Sequence, residues 1–208
     1  MIIFNSEMYK SYYYLLCLSI ILLPQAFILP IEASYENHSL ENLEVIILGL
    51  GLFTMVYKIY ISNLKIVKYF YMACSLFYTI MIARELSFGR VFYPVGIDDH
   101  GEQIFMNIHQ LWYGPIVYPV IAILAIGGLL LMVKTYRAVK TDAWHFIVPR
   151  YSLVLFVVML FCSQVIFEKN MITILADYGQ LLEECTELIA YFSLVLFTKD
   201  IVFEKRWE

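Results

Sequence analysis

Residues 181–192 read LLEECTELIAYF, a run apolar enough to enter a membrane that nevertheless carries Glu183, Glu184 and Glu187. A charged side chain near the centre of a membrane helix costs about 2.5–3.5 kcal/mol even on insertion scales. Such residues therefore sit at a boundary, are neutralised, or are paired for a purpose. Extended in both directions, Asp177, Gln180, Glu184, Glu187 and Tyr191 fall at i, i+3, i+7, i+10 and i+14, along one stripe of a helix. Glu183 lies about 100° round from Glu184. A polar stripe inside a membrane helix faces protein or water rather than lipid. This reading predicts a helix bundle with Glu184 and Glu187 as an inward-facing pair and Tyr191 at its deeper end.

The rest of the chain fits that frame. Its 208 residues are 62% hydrophobic and 15% charged, and the mean hydropathy is +0.74, values of the membrane class. Six apolar runs stand out: Tyr12 to Ile31, Leu43 to Ile61, Tyr69 to Ala83, Gly114 to Val133, Ile147 to Phe167 and Leu181 to Phe197. Each approaches the roughly 20 residues that a helix needs to cross a bilayer. The third is short and is expected to extend through Glu85. The expected fold is all-α: a polytopic bundle of about six transmembrane helices forming a single domain over residues 1–208. A net charge of −4 without a long basic run excludes nucleic acid as a partner and leaves the lipid bilayer, or another membrane protein. The four cysteines, Cys17, Cys74, Cys162 and Cys185, lie in apolar runs without metal-ligand or redox spacing, and read as small buried hydrophobes. Gly49, Gly51 and the Gly127–Gly128 pair read as points of close helix approach.

Lysine and arginine give an orientation. With the N terminus cytoplasmic, Lys10, Lys58, Lys65, Lys68, Lys134, Arg137, Lys140, Arg150, Lys199, Lys205 and Arg206 lie inside, and only Arg84, Arg90 and Lys169 outside. Both termini are then cytoplasmic and the protein belongs to the inner (plasma) membrane. The first run, with Lys10 before it and Ala33 after it, has the length and aromatic content of an uncleaved anchor, a cleaved signal being the alternative. Acidic residues gather outward, among them Glu36, Glu41, Glu44, Glu85, Asp98, Asp99, Glu168 and the late glutamates; Glu7, Asp142, Asp200, Glu204 and Glu208 lie inside. Topogenesis does not explain that excess, because acidic residues contribute little to orientation.

One connection is long, the outward loop from Arg84 to Tyr113. Its aromatic and apolar content predicts that it folds back over the bundle, with breaks at Gly89, Pro94, Gly96 and Gly101 and a short helix over Gln103 to Tyr113. Ser39 reads as the N-cap of the second helix, placing Glu41 and Glu44 in its first turns, where the helix dipole favours negative charge. Arg84, Glu85 and Arg90 supply two guanidinium groups to neutralise late carboxylates. The outward site candidates are thus Glu41, Glu44, Arg84, Glu85, Arg90, His109, Glu184, Glu187 and Tyr191. His38 and His100 lie in outward loops, and His145 inside. Glu85, His109, Glu184 and Glu187 are of the types that hold a divalent metal ion, although neither HExxH nor ExxH is present.

Three segments together, ENHSLENL from Glu36, ARELSFGR from Ala83 and LLEECTELIAYF from Leu181, resemble an uncharacterised family of bacterial multi-pass membrane proteins. In that family an acidic start to an early helix, an E-x-[I/L]-S-[W/F]-G segment and a late E-E-x-x-E helix recur. The resemblance implies importance for Glu41, Glu85, Glu184 and Glu187 and names no reaction. Phe88 and Arg90 stand where the resemblance leads one to expect tryptophan and glutamine, so the resemblance does not carry a ligand over to this site. Three functions fit: an outward Glu, Arg and His site for a cation or polar head-group; a metal-dependent hydrolase acting on a lipid-like substrate; and a non-catalytic subunit of a membrane complex. The orientation is directly testable. A cysteine placed at Asp99 is expected to react with an impermeant thiol reagent on intact cells and one at Thr141 is not; the reverse labelling inverts the assignment.

Overall fold

The computed structural model describes residues 2–5, 9–98, 101–141 and 144–205. Glu7, Asp99, His100, Asp142, Arg206 and Glu208, named above, lie outside the described residues. Six long helices occupy the six apolar runs: α1 (Tyr9–Gln25), α2 (Ser39–Ile61), α3 (Lys65–Glu85), α4 (Gly114–Thr141), α5 (Arg150–Phe161), which continues as a π-helical stretch over Cys162–Phe167, and α6 (Gly179–Lys199). Among the described residues four helical segments, Ile31–Ile61, Lys65–Glu85, Gly114–Thr141 and Arg150–Phe167, are long and apolar enough to cross a membrane. α1 is a shorter apolar helix of 17 residues. As expected, the third helix extends through Glu85.

Several boundaries differ from the sequence reading. α1 stops at Gln25, just after Pro24, and the chain turns there through bonds from Phe27 N–H to the Pro24 carbonyl and from Leu29 N–H to that of Gln25. Ser39 is the first residue of α2 rather than its cap, and the Glu41 carboxylate instead accepts from the Asn37 N–H. Ile147 to Pro149, taken as the head of the fifth run, belong instead to a strand, β4 (Trp144–Pro149), antiparallel to β5 (Val202–Lys205), with β1 (Ile2–Asn5) on the other edge of β4. The helix expected over Gln103 to Tyr113 is absent. Gly101, at φ 87°, turns the chain, and Asp98 accepts from the Glu102 N–H, so β2 (Pro94–Ile97) and β3 (Gln103–Phe105) pair as a hairpin, followed by one 3-10 turn at Ile108–Gln110. A bulge between Pro94 and Gly96 shifts the register, so that Gly96 faces Ile104 and Pro94 faces Phe105.

The described contacts divide the chain into two compact units. The first comprises Met1–Ile3, Leu48–Val148 and Ile201–Glu208. In it α3 and α4 pack along each other, and the long loop closes over their ends by burying Val91, Phe105, Ile108 and Leu111. At the other end Phe70, Phe146 and Phe203 form an aromatic cluster on the β4–β5 pair. There Lys58 donates to the Tyr71 hydroxyl (3.2 Å), which donates to the Ile201 carbonyl (3.4 Å).

The second unit comprises Phe4–Ile47 and Pro149–Asp200. α6 is its centre, packed by α1, α5, the π-helical stretch and the turns at Ile31–Ser34 and Thr173–Tyr178. Every residue from Cys185 to Tyr191 is buried. A helix enclosed on all sides needs no lipid-facing apolar stripe, which is why α6 can hold three glutamates. An apolar cluster of Ala26, Ala33, Leu40, Leu181, Leu182 and Cys185 closes one end of the unit, and the Ser11 hydroxyl bonds the Asp200 carboxylate at the other.

Of the glycines read as helix contacts, Gly128 serves that role: a Cβ there would lie 2.9 Å from the Phe77 ring. At Gly127 the nearest atom is 3.5 Å away, and at Gly49 nothing lies within 4 Å, so Gly49 is no contact point. Gly128→Val is expected to cost ~1–3 kcal/mol through overpacking, whereas Gly127→Ala is expected to be nearly neutral. Thermal unfolding of the full chain in detergent checks both; equal effects would remove the α3–α4 contact as the reason.

Candidate functional site

The site grows from how α6 begins. Gly179 opens the helix directly against the Asn170 side chain, where a Cβ would collide, so the helix starts tight on the turn that ends the π-helical stretch. One residue on, Gln180 donates from Nε2 to the Ser34 carbonyl at 3.1 Å, fixing the helix to the Ile31–Ser34 turn. Two turns further, Glu187 is 4% exposed.

Three side chains hold its carboxylate. Ser163 donates to Oε1 at 3.1 Å, Gln164 donates through Nε2 to the same oxygen, and the fully buried Tyr191 donates to Oε2 at 3.4 Å. Gln164 also reaches the Ser163 hydroxyl at 3.3 Å. Adjacent residues of an α-helix diverge by about 100°, so two neighbours seldom reach one atom. Ser163 and Gln164 do so from within the π-helical stretch, whose widened turn appears in the bonds from Glu168 N–H to the Ser163 carbonyl and from Met171 N–H to that of Ile166. Interruptions of this kind inside α-helices are frequent at functional sites.

The second carboxylate comes from α2. Leu40, Glu44, Leu48 and Met55 are all buried, at i, i+4, i+8 and i+15 along one face, and Glu44 is 0% exposed. A carboxylate oxygen of Glu44 and one of Glu187 lie within 4.8 Å of each other. The expected late pair is thus divided. Glu187 meets Glu44 and the donors around it, while Glu184 is half-buried one turn nearer the start of α6. Glu183 is also half-buried, and Asp177 lies before the helix in an exposed turn. Glu41 serves the start of α2, where its carboxylate accepts from the Asn37 N–H.

The remaining candidates belong to the first unit. Glu85 is 7% exposed at the end of α3, and Arg84 Nη1 stands 3.8 Å from its Oε1 with the arginine side chain half exposed. Arg90 donates from Nε to the Met106 carbonyl at 3.0 Å. His109 is exposed in the Ile108–Gln110 turn, its ring 6.5 Å from that of Tyr118. Nearby, burial and then the neighbouring Tyr93 phenol raise the Tyr113 hydroxyl above its ordinary range.

Ser163 and Gln164 are the functional residues the sequence reading missed. The signal was present as CSQVIF, a serine and glutamine side by side deep in an apolar run. Chemically, two buried carboxylates, of which Glu187 is held by hydroxyl and amide donors, offer oxygen ligands of the kind that hard cations take.

Comparison with family models, with curated proteins and with solved structures finds no match to this chain. Ser163→Ala and Gln164→Leu each remove a donor from the same buried oxygen, and each is expected to cost ~1–3 kcal/mol. Because they share a partner, the pair is expected to be clearly non-additive. In a Glu187→Met background both effects should nearly vanish. Thermal stability in detergent across these variants decides it, and undiminished costs in that background would mean that neither residue acts through Glu187.

Proposed function

We propose that the chain is an integral inner-membrane protein of about six spans, both termini cytoplasmic, that binds a cation at the buried Glu44 and Glu187 carboxylates in its outward half. The observation that carries this reading is the approach of two enclosed carboxylates, one from α2 and one from α6, within 4.8 Å. Ionised carboxylates so close repel each other, and the repulsion grows as burial lowers the effective dielectric. A cation between them converts that repulsion into attraction. Counted along the helices at 1.5 Å per residue, Glu44 lies about 8 Å from the start of α2 and Glu187 about 12 Å from the start of α6, so the ion would sit below the membrane surface.

The ligand chemistry narrows the guest. Carboxylate, hydroxyl and amide groups favour Mg²⁺, Ca²⁺, Mn²⁺ or an ammonium group over the softer metals that thiolate and imidazole select. A head-group amine is thereby included, and a free divalent ion is the simplest occupant to test. Ser163, Gln164 and Tyr191 orient Glu187 so that one carboxylate keeps a fixed direction as the ion enters. That is a positioning role, comparable to the outer partners that hold metal-ligating side chains elsewhere.

Equilibrium dialysis of the purified full chain against Mn²⁺, Mg²⁺ and Ca²⁺ tests the reading. One ion per chain is expected to bind saturably. Glu44→Gln and Glu187→Gln should each weaken it by more than tenfold, ~1.4 kcal/mol, while Glu41→Gln, which alters only the start of α2, should leave it unchanged. Folded protein that binds none of these ions, or binds them equally well without Glu187, would overturn the proposal.

A further inference from the structure

Positive charge gathers at one end of the first unit, where the carboxylate site has no part. α3 and α4 run antiparallel: Gly128 meets the Phe77 ring, Gly127 nears Leu76, and Lys134 Nζ stands 5.9 Å from the centre of the Tyr69 ring. In that register the start of α3, with Lys65 and Lys68, lies beside the end of α4, with Lys134, Arg137 and Lys140. Lys65, Lys134, Arg137 and Lys140 are exposed, and Lys68 is half-buried. Residues 45–84 and 103–141 contain neither aspartate nor glutamate, and among the described residues none of these five cations makes an ion pair.

Local rules explain only part of the cluster. The helix dipole favours cations at the end of α4 but opposes them at the start of α3. The positive-inside tendency assigns a side of the membrane and not a place within it, yet of the cations assigned inside only Lys10, Arg150 and Lys199 fall in the second unit. Like charges one helical turn apart, as in Lys65 and Lys68 or Lys134, Arg137 and Lys140, repel each other. An anion from outside the chain would relieve that repulsion.

The surroundings identify the anion. Tyr57, Tyr60 and Tyr136 are exposed at the same end, rings of the type that settle at the level of lipid head-groups. From Lys134 an exposed row of Val133, Leu130 and Leu129 continues along α4. Cations, interfacial rings and an apolar row, in that order, match the phosphate, the interface and the acyl chains of a bilayer lipid. A soluble acidic partner would use the cations and leave the row unexplained. Clusters of four or more lysines and arginines at the end of a membrane helix attract anionic lipid.

We infer that the adjoining ends of α3 and α4 bind the phosphate of an anionic phospholipid, whose acyl chains lie along α4 over Leu130 and Val133. A bilayer presents head-groups on both sides, so the inference holds for either orientation of the chain. It is independent of the Glu44–Glu187 site and survives if that site binds no cation.

The test compares two reporters on the full chain carrying Trp112→Phe, Trp144→Phe and Trp207→Phe. One is Leu130→Trp, four residues from Lys134; the other is Val154→Trp, four residues from Arg150 on α5 of the second unit, and both positions are exposed. Each is reconstituted in phosphatidylcholine bilayers containing a minor fraction of lipid brominated on the acyl chain, either phosphatidylglycerol or phosphatidylcholine. Brominated phosphatidylglycerol is expected to half-quench the Leu130 reporter at a mole fraction about fivefold lower than brominated phosphatidylcholine, and the Val154 reporter at a nearly equal one. Lys134→Gln, Arg137→Gln and Lys140→Gln together should abolish the preference at Leu130. Lys10→Gln, Arg150→Gln and Lys199→Gln, an equal loss of charge, should leave it in place. Raising ionic strength should erode the preference by screening, with no further variant needed. An equal preference at both reporters would mean general attraction of anionic lipid to the chain and would overturn the inference. So would equal quenching by the two lipids at Leu130 at low salt, or a preference there that outlasts loss of the three α4 cations.

Discussion

Glu187 cannot face lipid, and much of the second unit follows from that constraint. A carboxylate about two turns inside an otherwise apolar helix is costly unless protein encloses and satisfies it, and α6 lies at the centre of its unit with Cys185 to Tyr191 buried. The central helix therefore differs from its neighbours in composition. α4 and α5 expose long rows of isoleucine, leucine and valine, among them Ile123, Leu130, Val154 and Val158, as befits segments long and apolar enough to cross a membrane. α6 has little such surface, and it can hold glutamate, threonine and serine where α4 holds leucine.

Enclosure alone would leave Glu187 expensive, and the local departures from regular helix answer that cost. The π-helical stretch after α5 turns Ser163 and Gln164 together toward one carboxylate oxygen, and Tyr191 reaches the other from one turn along α6. Gly179 lets α6 start close enough to the preceding turn for this register to hold. Buried polar networks specify structure when their members are satisfied and destabilise it when they are not. The regular parts of these helices could slide by a turn with little penalty among apolar neighbours; the carboxylate and its donors cannot.

The fold class was legible because hydropathy and run length suffice to announce long apolar helices: each of the six runs holds a helix, and among the described residues four segments are long and apolar enough to cross a membrane. Local exceptions were hidden for physical reasons. Ile147 to Pro149 are apolar enough to read as the head of a span, yet they end a strand, WHFIVP, that pairs with VFEK. The Gln103–Tyr113 segment has the composition of an interfacial helix, yet the turn at Gly101 commits its start to a hairpin. At the candidate site, helical spacing placed Glu187 and Tyr191 on a common stripe, as observed. It could not assign Glu187 to Glu44 rather than Glu184, because that choice depends on which face of α2 is buried. Nor could spacing foresee that Ser163 and Gln164 share a target, since the π-helical turn is a property of the packed helix and not of its periodicity.

Glu44 is the sharpest case of local preference yielding to something else. Its neighbours on the buried face are Leu40, Leu48 and Met55, and leucine at position 44 would complete an apolar stripe with good helix propensity and no desolvation cost. Well-packed hydrophobic replacements of buried charged groups are often neutral or stabilising, by ~1–4 kcal/mol. Glu41, three residues earlier, shows the contrast: it too is acidic and near the start of α2, but its contact with the Asn37 N–H accounts for it. Glu44 departs from the apolar pattern of its own face, and departures from local consistency of this kind are where function is expected.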